Sequence, residues 1–264
     1  MESSLKIVIR EGEVVVKIGI VGISGRMGQV LSQEISKKSA LTLGVSYSKE
    51  LADQVSLADL FADNDVVIDF SNAALVESVL DAALENPKPL VICTTGWDRQ
   101  ALDKKITTLG AQVPVILATN TSVGAAIQRY LVKVVSKALG DDFDVDLHEK
   151  HHRFKVDSPS GTAMTLLEDI QTAKQETFGK NFETYTVGEG ARKDELIGVS
   201  VTRSGSIVGE HEVSFTSLDE QITIKHTAFD RALFAKGALK AALWCTQVDE
   251  PGLYTIFDVL SLKD

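Results

Sequence analysis

The chain has 264 residues, 44% of them hydrophobic and 24% charged, and a net charge of -10. That length holds one large domain or two ordinary ones with real cores. The acidic balance speaks against nucleic acid or an anionic membrane as partner, so an anionic ligand would need a local cluster of positive charge. Cys93 and Cys245 lie far apart in apolar surroundings, the pattern of reduced buried thiols rather than of a disulfide or zinc site. No apolar run approaches the roughly 20 residues that span a bilayer. The start, MESSLKIVIREGE, lacks the basic region and long apolar core of a signal peptide, and a cytoplasmic location is expected.

Residues 1–15 read as an extra hairpin or loose arm. From residue 14 to about 140, short β-rich apolar runs alternate with helical segments. VVVKIGIVG, LTLGVS, DVVIDF, PLVICTT and VPVILAT read as strands. MGQVLSQEISKK, NAALVESVLDAALEN and RQALDKKITTLG read as helices between them. This alternation predicts a parallel sheet with helices on both faces, with ligands at the C-terminal ends of the strands. After residue 140 the texture changes: DFDVDLHE, LIGVSVTR, SIVGEHEVSFTS and EQITIKHTAF alternate apolar and polar residues. They predict antiparallel or mixed strands with one wet face. One helix interrupts them, from about Thr162 to Phe178 and closed by Gly179, and RALFAKGALKAALWCTQ is a final helix apolar enough to pack onto a sheet.

The first strand runs into Gly22, Ile23, Ser24, Gly25, Arg26, Met27 and Gly28, which open a helix. Glycines in such a turn let the backbone approach a pyrophosphate, and the helix start offers it unpaired amides. With further strand-helix units behind it, the loop predicts a Rossmann-type dinucleotide site; the alternative is a Rossmann-like domain that binds no cofactor. Where an acid would hold the ribose 2′-hydroxyl, the chain has Ser48 and Lys49. A hydroxyl and an ammonium, with Arg26 nearby, suit a 2′-phosphate, so NADPH is favoured and NADH is possible; the alternative for Lys49 is a solvated loop lysine.

The stretch from residue 148 to 163, HEKHHRFKVDSPSGTA, opens with the H-E-x-x-H pattern of zinc proteases. The zinc reading needs a helix, on which His148 and His152 would stack about 6 Å apart. The preceding residues alternate with period two, and on a strand the two histidines would stand about 13 Å apart, too far to share an ion held at about 2 Å. No metal is therefore expected. Ser158 and Ser160 lack the G-x-S-x-G elbow of a serine hydrolase and read as turn and cap residues. The remaining reading is a cationic pocket. Gly161 and Thr162 begin a helix whose amides can cradle a carboxylate, with Lys155, His151 and His152 around the same anion. Lysine or histidine there can give a proton as a hydride arrives. The alternative is a pair of structural histidines bonded to backbone.

GRMG, DVVIDFS, CTTGW, ATNTSVG, EKHHRFKVDSPSGTA, TRSGSIVGEH and HTAFDRALFAKGALKAALW occur in the order seen in dihydrodipicolinate reductases, which the chain resembles from Lys17 to its C-terminus. The resemblance implies an α/β fold. A Rossmann domain of residues 1–124 and 232–264 would be joined to an α+β substrate-binding and oligomerisation domain of residues 125–231, built on a mixed, largely open sheet. It implies NAD(P)H-dependent reduction of 4-hydroxy-tetrahydrodipicolinate to tetrahydrodipicolinate, on the diaminopimelate route to lysine, by a homotetramer with a small dicarboxylate substrate. It makes His151 the catalytic histidine and Lys155 the proton donor. It assigns His152, Gly161 and Thr162 to the substrate's carboxylates. Gly22 to Met27 match the pyrophosphate loop, while Cys93, Thr94, Thr95, Ala118, Thr119, Asn120 and Thr121 match loops around the nicotinamide. The family commonly has glycine at Cys93, phenylalanine at Thr121 and glutamate at Ser48. Closure of the two domains is expected to bring nicotinamide and substrate together. Two rival readings are another two-domain NAD(P)-dependent dehydrogenase of amino or imino acids, and a non-catalytic NADPH-sensing regulator.

Overall fold

A computed structural model describes residues 15–140, 142–186, 192 and 194–262. The hairpin or arm expected at the start of the chain lies outside the described residues, apart from Val15. The elements run as β1 (Val16–Val21), α1 (Arg26–Ser36), β2 (Leu41–Leu43), α2 (Leu57–Asp63), β3 (Val66–Asp69), α3 (Val76–Glu85), β4 (Leu90–Ile92), α4 (Arg99–Gly110) and β5 (Pro114–Leu117). They continue with α5 (Val123–Ala138), β6 (Asp144–His151), α6 (Gly161–Phe178), β7 (Glu183–Thr186), β8 (Leu196–Arg203), β9 (Gly209–Thr216) and β10 (Gln221–Ala228). The chain closes with α7 (Ala232–Cys245), β11 (Gly252–Tyr254) and α8 (Ile256–Val259). Two compact units result: the described residues up to Thr119 with Ala235–Val259, and Asn120–Phe234 with the residues from Leu260.

The first unit holds a six-stranded parallel sheet in the order β11-β5-β4-β3-β1-β2. Strands β3 and β4 are buried at every residue, as expected of parallel strands covered on both faces, which read as unbroken apolar runs. Val21, Phe61, Val67, Leu80, Ile92, Ile106 and Val115 belong to one core cluster. The chain leaves β1 for β2 at the edge, then returns past β1 to β3. That reversal creates the crevice at the C-terminal ends of the strands where open α/β sheets bind ligands.

The second unit is built on a mixed five-stranded sheet in the order β10-β9-β6-β8-β7. β10, β9 and β6 pair antiparallel, whereas β6, β8 and β7 pair parallel. Along β6, burial alternates, and Val145, Leu147, Glu149 and His151 turn to the core face. The register sets Val145 opposite Phe215, Leu147 opposite Val213 and Glu149 opposite His211. The apolar end of this face packs with Leu166, Leu167 and Ile170 of α6. The other face is polar: Glu210 pairs with Lys150 at 2.7 Å and Lys225 at 3.0 Å, and His148 meets Thr202 at 3.1 Å. The HEKHH stretch is thus strand up to His151, with His148 on the polar face, and not the helix a zinc protease needs.

Five elements go beyond the sequence expectation. Helix α2 starts with a capping box between Ser56 and Asp59, a signal present in the sequence as S-x-x-D. The buried face of α5 carries small or polar residues, Ala125, Ala126, Gln128 and Ser136, which blur its apolar period. Gln128 is buried because its amide donates to the carbonyls of His211 at 2.8 Å and Ile224 at 3.0 Å, tying α5 to β9 and β10. The short β7, β11 and α8 offer too few residues for periodicity to register. Phe215 is fully buried in the second core. Phe215→Ala should lower the unfolding free energy of that unit by about 3–5 kcal/mol, read from urea titration.

Candidate active site

In the first unit the glycine loop follows β1. Gly22 has φ +88°, and a Cβ there would lie 2.6 Å from the Phe70 carbonyl oxygen, so glycine is required twice over. A Cβ at Gly28 would run into the backbone of Gly22 and Ile23. Gly25 caps α1 without a side-chain hydrogen bond, and no acidic residue stands in the first turn. Arg26 is exposed there. Close backbone approach, an uncapped helix start and a nearby guanidinium fit a dinucleotide pyrophosphate.

The loop after β2 docks onto this turn: the Tyr47 carbonyl accepts from the amides of Gly22 at 2.7 Å and Ile23 at 3.2 Å. Ser48 is buried and Lys49 exposed. The structure also brings in Glu50, whose carboxylate accepts the Ser24 hydroxyl at 2.6 Å. That hydrogen bond holds the Glu50 carboxyl below its ordinary value. An acid therefore stands against the glycine loop after all, two positions beyond Ser48 and carried there by the short 3-10 turn Lys49–Leu51.

Cys93, Thr94 and Thr95 follow β4, and Ala118 and Thr119 follow β5. Burial pushes the Cys93 thiol well above its usual range, with the neighbouring Asp69 charge adding to the effect, so it is no nucleophile. Thr94 is buried, and its carbonyl accepts the Trp97 indole at 2.7 Å. Asp69 itself ends β3 fully buried. Burial raises its carboxyl, one oxygen accepts from the Ser71 amide at 2.9 Å, and the other has no partner. Asn120 and Thr121 belong to the second unit instead: Asn120 donates to Thr162 at 3.2 Å and Thr121 to the Phe234 carbonyl at 2.7 Å.

The second unit gathers the remaining candidates around Glu149, which has no solvent exposure. Its carboxylate accepts from Arg203 at 2.8 and 3.1 Å, from the Ser160 amide at 3.0 Å and from His151 Nδ1. Burial alone would raise its carboxyl, but the hydrogen bonds from Arg203, Ser160 and His151 outweigh it and hold it low. For His151, burial pushes the imidazole down and Glu149 only partly restores it. His211 stands edge-on to His151, 5.1 Å between ring centres, and meets the Ser160 hydroxyl at 2.9 Å. That same hydroxyl caps α6 by accepting from Ala163. One cavity is lined by His151, Thr162, Asn120, Gly209, His211 and His226, among others.

His152, Lys155 and Gly161 lie outside that lining. The Lys155 ammonium rests on Asp157 at 2.8 Å, and His152 keeps a buried Nδ1 without a partner. Glu149, Arg203, His211 and His226 were not singled out in the sequence; an acid, a base and histidines on separate strands carry no spacing signal. Among the described residues, Glu149, His151 and His211 bring possible metal-ligand atoms within 4.8 Å of one another. Arg203 already occupies both oxygens of that carboxylate, and a cation would have to displace it.

Burial lowers His211 from 6.5 to about 4, helped by His151, so the ring is neutral at pH 7. Between those limits the unfolded chain binds a proton that the folded one refuses, and stability falls as pH drops through the window. His211→Gln should remove about 3 kcal/mol of that loss, read by comparing urea unfolding of the two proteins at pH 7 and near pH 4.

Residues 16–121 match the family model described as dihydrodipicolinate reductase, N-terminus, and residues 124–260 match its C-terminus. The 4-hydroxy-tetrahydrodipicolinate reductase of Chlamydia felis is 40% identical over 239 residues, covering 90% of this chain and 95% of that protein. The enzyme of the same name from Campylobacter fetus subsp. fetus is 40% identical over 256 residues, covering 94% of this chain and 100% of its own. The fold is similar to that of the dipicolinate-bound dihydrodipicolinate reductase from Paenisporosarcina sp. TG-14, with a TM-score of 0.74 at 21% identity over 93% of this chain and 99% of that one. With both of its halves matched and relatives at 40% identity over most of its length, the chain belongs to the dihydrodipicolinate reductase family.

Proposed function

We propose that this protein reduces 4-hydroxy-tetrahydrodipicolinate to tetrahydrodipicolinate with a nicotinamide cofactor, on the diaminopimelate route of lysine biosynthesis. The observation that carries the reading is the cavity lined by His151, held by Glu149, together with Thr162 at the start of α6. An amino or imino acid dehydrogenase of similar fold has no need of that constellation, and a regulator could dispense with Lys155. Dipicolinate, held by the Paenisporosarcina enzyme, is a cyclic dicarboxylate, and a substrate of that kind suits the start of α6, where no acidic residue stands in the first turn.

The cofactor residues are Gly22 to Met27, Ser48 and Lys49, Cys93 to Thr95 and Ala118 to Thr121. When bound, the reduced nicotinamide supplies a hydride. His152, Gly161 and Thr162 hold the carboxylates, and Lys155, stationed on Asp157, gives the proton with the help of His151. Positive charge around the ring stabilises charge developing during transfer. NADPH is favoured, because Lys49 and Arg26 are both exposed beside the glycine loop and suit a 2′-phosphate. Glu50 leaves NADH usable by offering a carboxylate to a free 2′-hydroxyl. The protein works in the cytoplasm as a homotetramer assembled through the sheets of the second unit; among the described residues no helix is long and apolar enough to cross a membrane.

The test is NADPH oxidation with aspartate semialdehyde, pyruvate and the preceding synthase supplied. Lys155→Ala should lower kcat by about 10²–10⁴-fold with little change in KM; near-normal turnover would remove Lys155 as proton donor. Cofactor choice is read separately from nucleotide affinity by fluorescence titration. Lys49→Ala should weaken NADPH by about tenfold and leave NADH unchanged, whereas Glu50→Gln should weaken NADH alone. Equal losses for both nucleotides would show that neither side chain reads the 2′ position.

A further inference from the structure

We infer that Glu149 is a positioning residue: its buried carboxylate fixes which nitrogen of His151 carries the proton and ties that imidazole to the start of α6. The inference rests on the proposed reduction for its kinetic consequence, but the geometry stands apart from it. Position 149 faces the core on the same side of β6 as Val145 and Leu147, and an apolar side chain would continue that pattern. A buried carboxylate is instead retained, and nothing in the strand's own pairing requires it. Burying a charge is costly unless every lone pair is used, and here each oxygen has two partners. Oε1 accepts from Arg203 at 2.8 Å and the Ser160 amide at 3.0 Å, while Oε2 accepts from Arg203 at 3.1 Å and faces His151 Nδ1.

The Arg203 pair and the Ser160 amide hold the carboxyl below its ordinary value, so it is ionised and can only accept. His151 Nδ1 must then carry the hydrogen, and proton traffic at this ring is confined to Nε2. On its other side the ring lies close over Gly209, where a Cβ would stand 3.1 Å from Nε2. The other carboxylate oxygen, Oε1, accepts from the amide of Ser160, the N-cap of α6, so one group sets both the imidazole and the helix start expected to receive the substrate's carboxylate. The charged and titratable groups facing His151 are Glu149 on its own strand, Arg203 on β8, His211 on β9 and Lys155 in the following loop, with His226 of β10 lining the same cavity. Glu149 is the negative one among them, and its loss leaves the ring beside Arg203 and Lys155.

The first measurement needs no substrate. In protein with ¹⁵N-labelled histidine, the neutral His151 ring should show its proton on Nδ1; a proton on Nε2 overturns the inference even if the enzyme reduces its substrate as proposed. The second is a double-variant cycle in the coupled assay. Glu149→Gln should lower kcat by about 100-fold, leave NADPH affinity unchanged, and move the His151 titration to lower pH by about one unit or more. Combined with His151→Ala it should add no further loss, because it acts through that ring. Multiplying losses would make Glu149 merely structural. Should Glu149→Gln fail to fold, Gly209→Ala displaces the same ring without touching the carboxylate. It should lower kcat in the wild-type background and have no effect in His151→Ala; any other result overturns the inference.

Discussion

The second unit is organised around the ion pair between Glu149 and Arg203, which lies where an apolar core gives way to a polar pocket. Taking the carboxylate out of water costs several kcal/mol, and the fold meets that cost by saturating it. The consequence is rigidity at a chosen place. Arg203 on β8, His151 at the end of β6 and Ser160 before α6 all converge on one group, and Arg203 also donates to the Asp157 carbonyl at 2.7 Å in the connecting loop. The loop that carries His152, Lys155 and the helix cap is therefore pinned at Asp157 and at Ser160.

The same logic of one group holding several elements recurs in the first unit. The Tyr47 carbonyl, at the end of the segment after β2, takes the two amides at the start of the glycine loop. That places the residues after it, Ser48 to Glu50, against the glycine loop. Glycine at 22 is a packing requirement as much as a conformational one, and at 28 a packing requirement, because a side chain at either would collide with backbone.

Some of the site was legible and some was not, for identifiable reasons. His151, Lys155 and Thr162 sit within one short stretch whose turn and helix signals are local, so their neighbourhood could be read directly. Glu149 entered the sequence reading only as the glutamate of the H-E-x-x-H pattern; only strand pairing turns it inward toward Arg203, 54 residues away. The acid beside the glycine loop was missed for another reason. A rule counting residues from the glycines assumes an uninterrupted strand end, and here a 3-10 turn carries Glu50 back to Ser24. Helix α5 was obscured because its buried face uses alanine, glutamine and serine, whose burial depends on what they meet rather than on their own hydrophobicity.

Local physics determined the longer strands and helices of the first unit, the strand character of HEKHH and the cap at Ser160, because period, turn residues and capping signals act within a few residues of one another. Tertiary structure decided the rest. The parallel and antiparallel order of the second sheet sets which distant residues face each other. From that order came the buried carboxylate between His151 and Arg203, the edge-on placement of His211 against His151, and the cavity those two histidines share with Thr162. A pairing register is a property of two strands at once, and neither strand's sequence carries it.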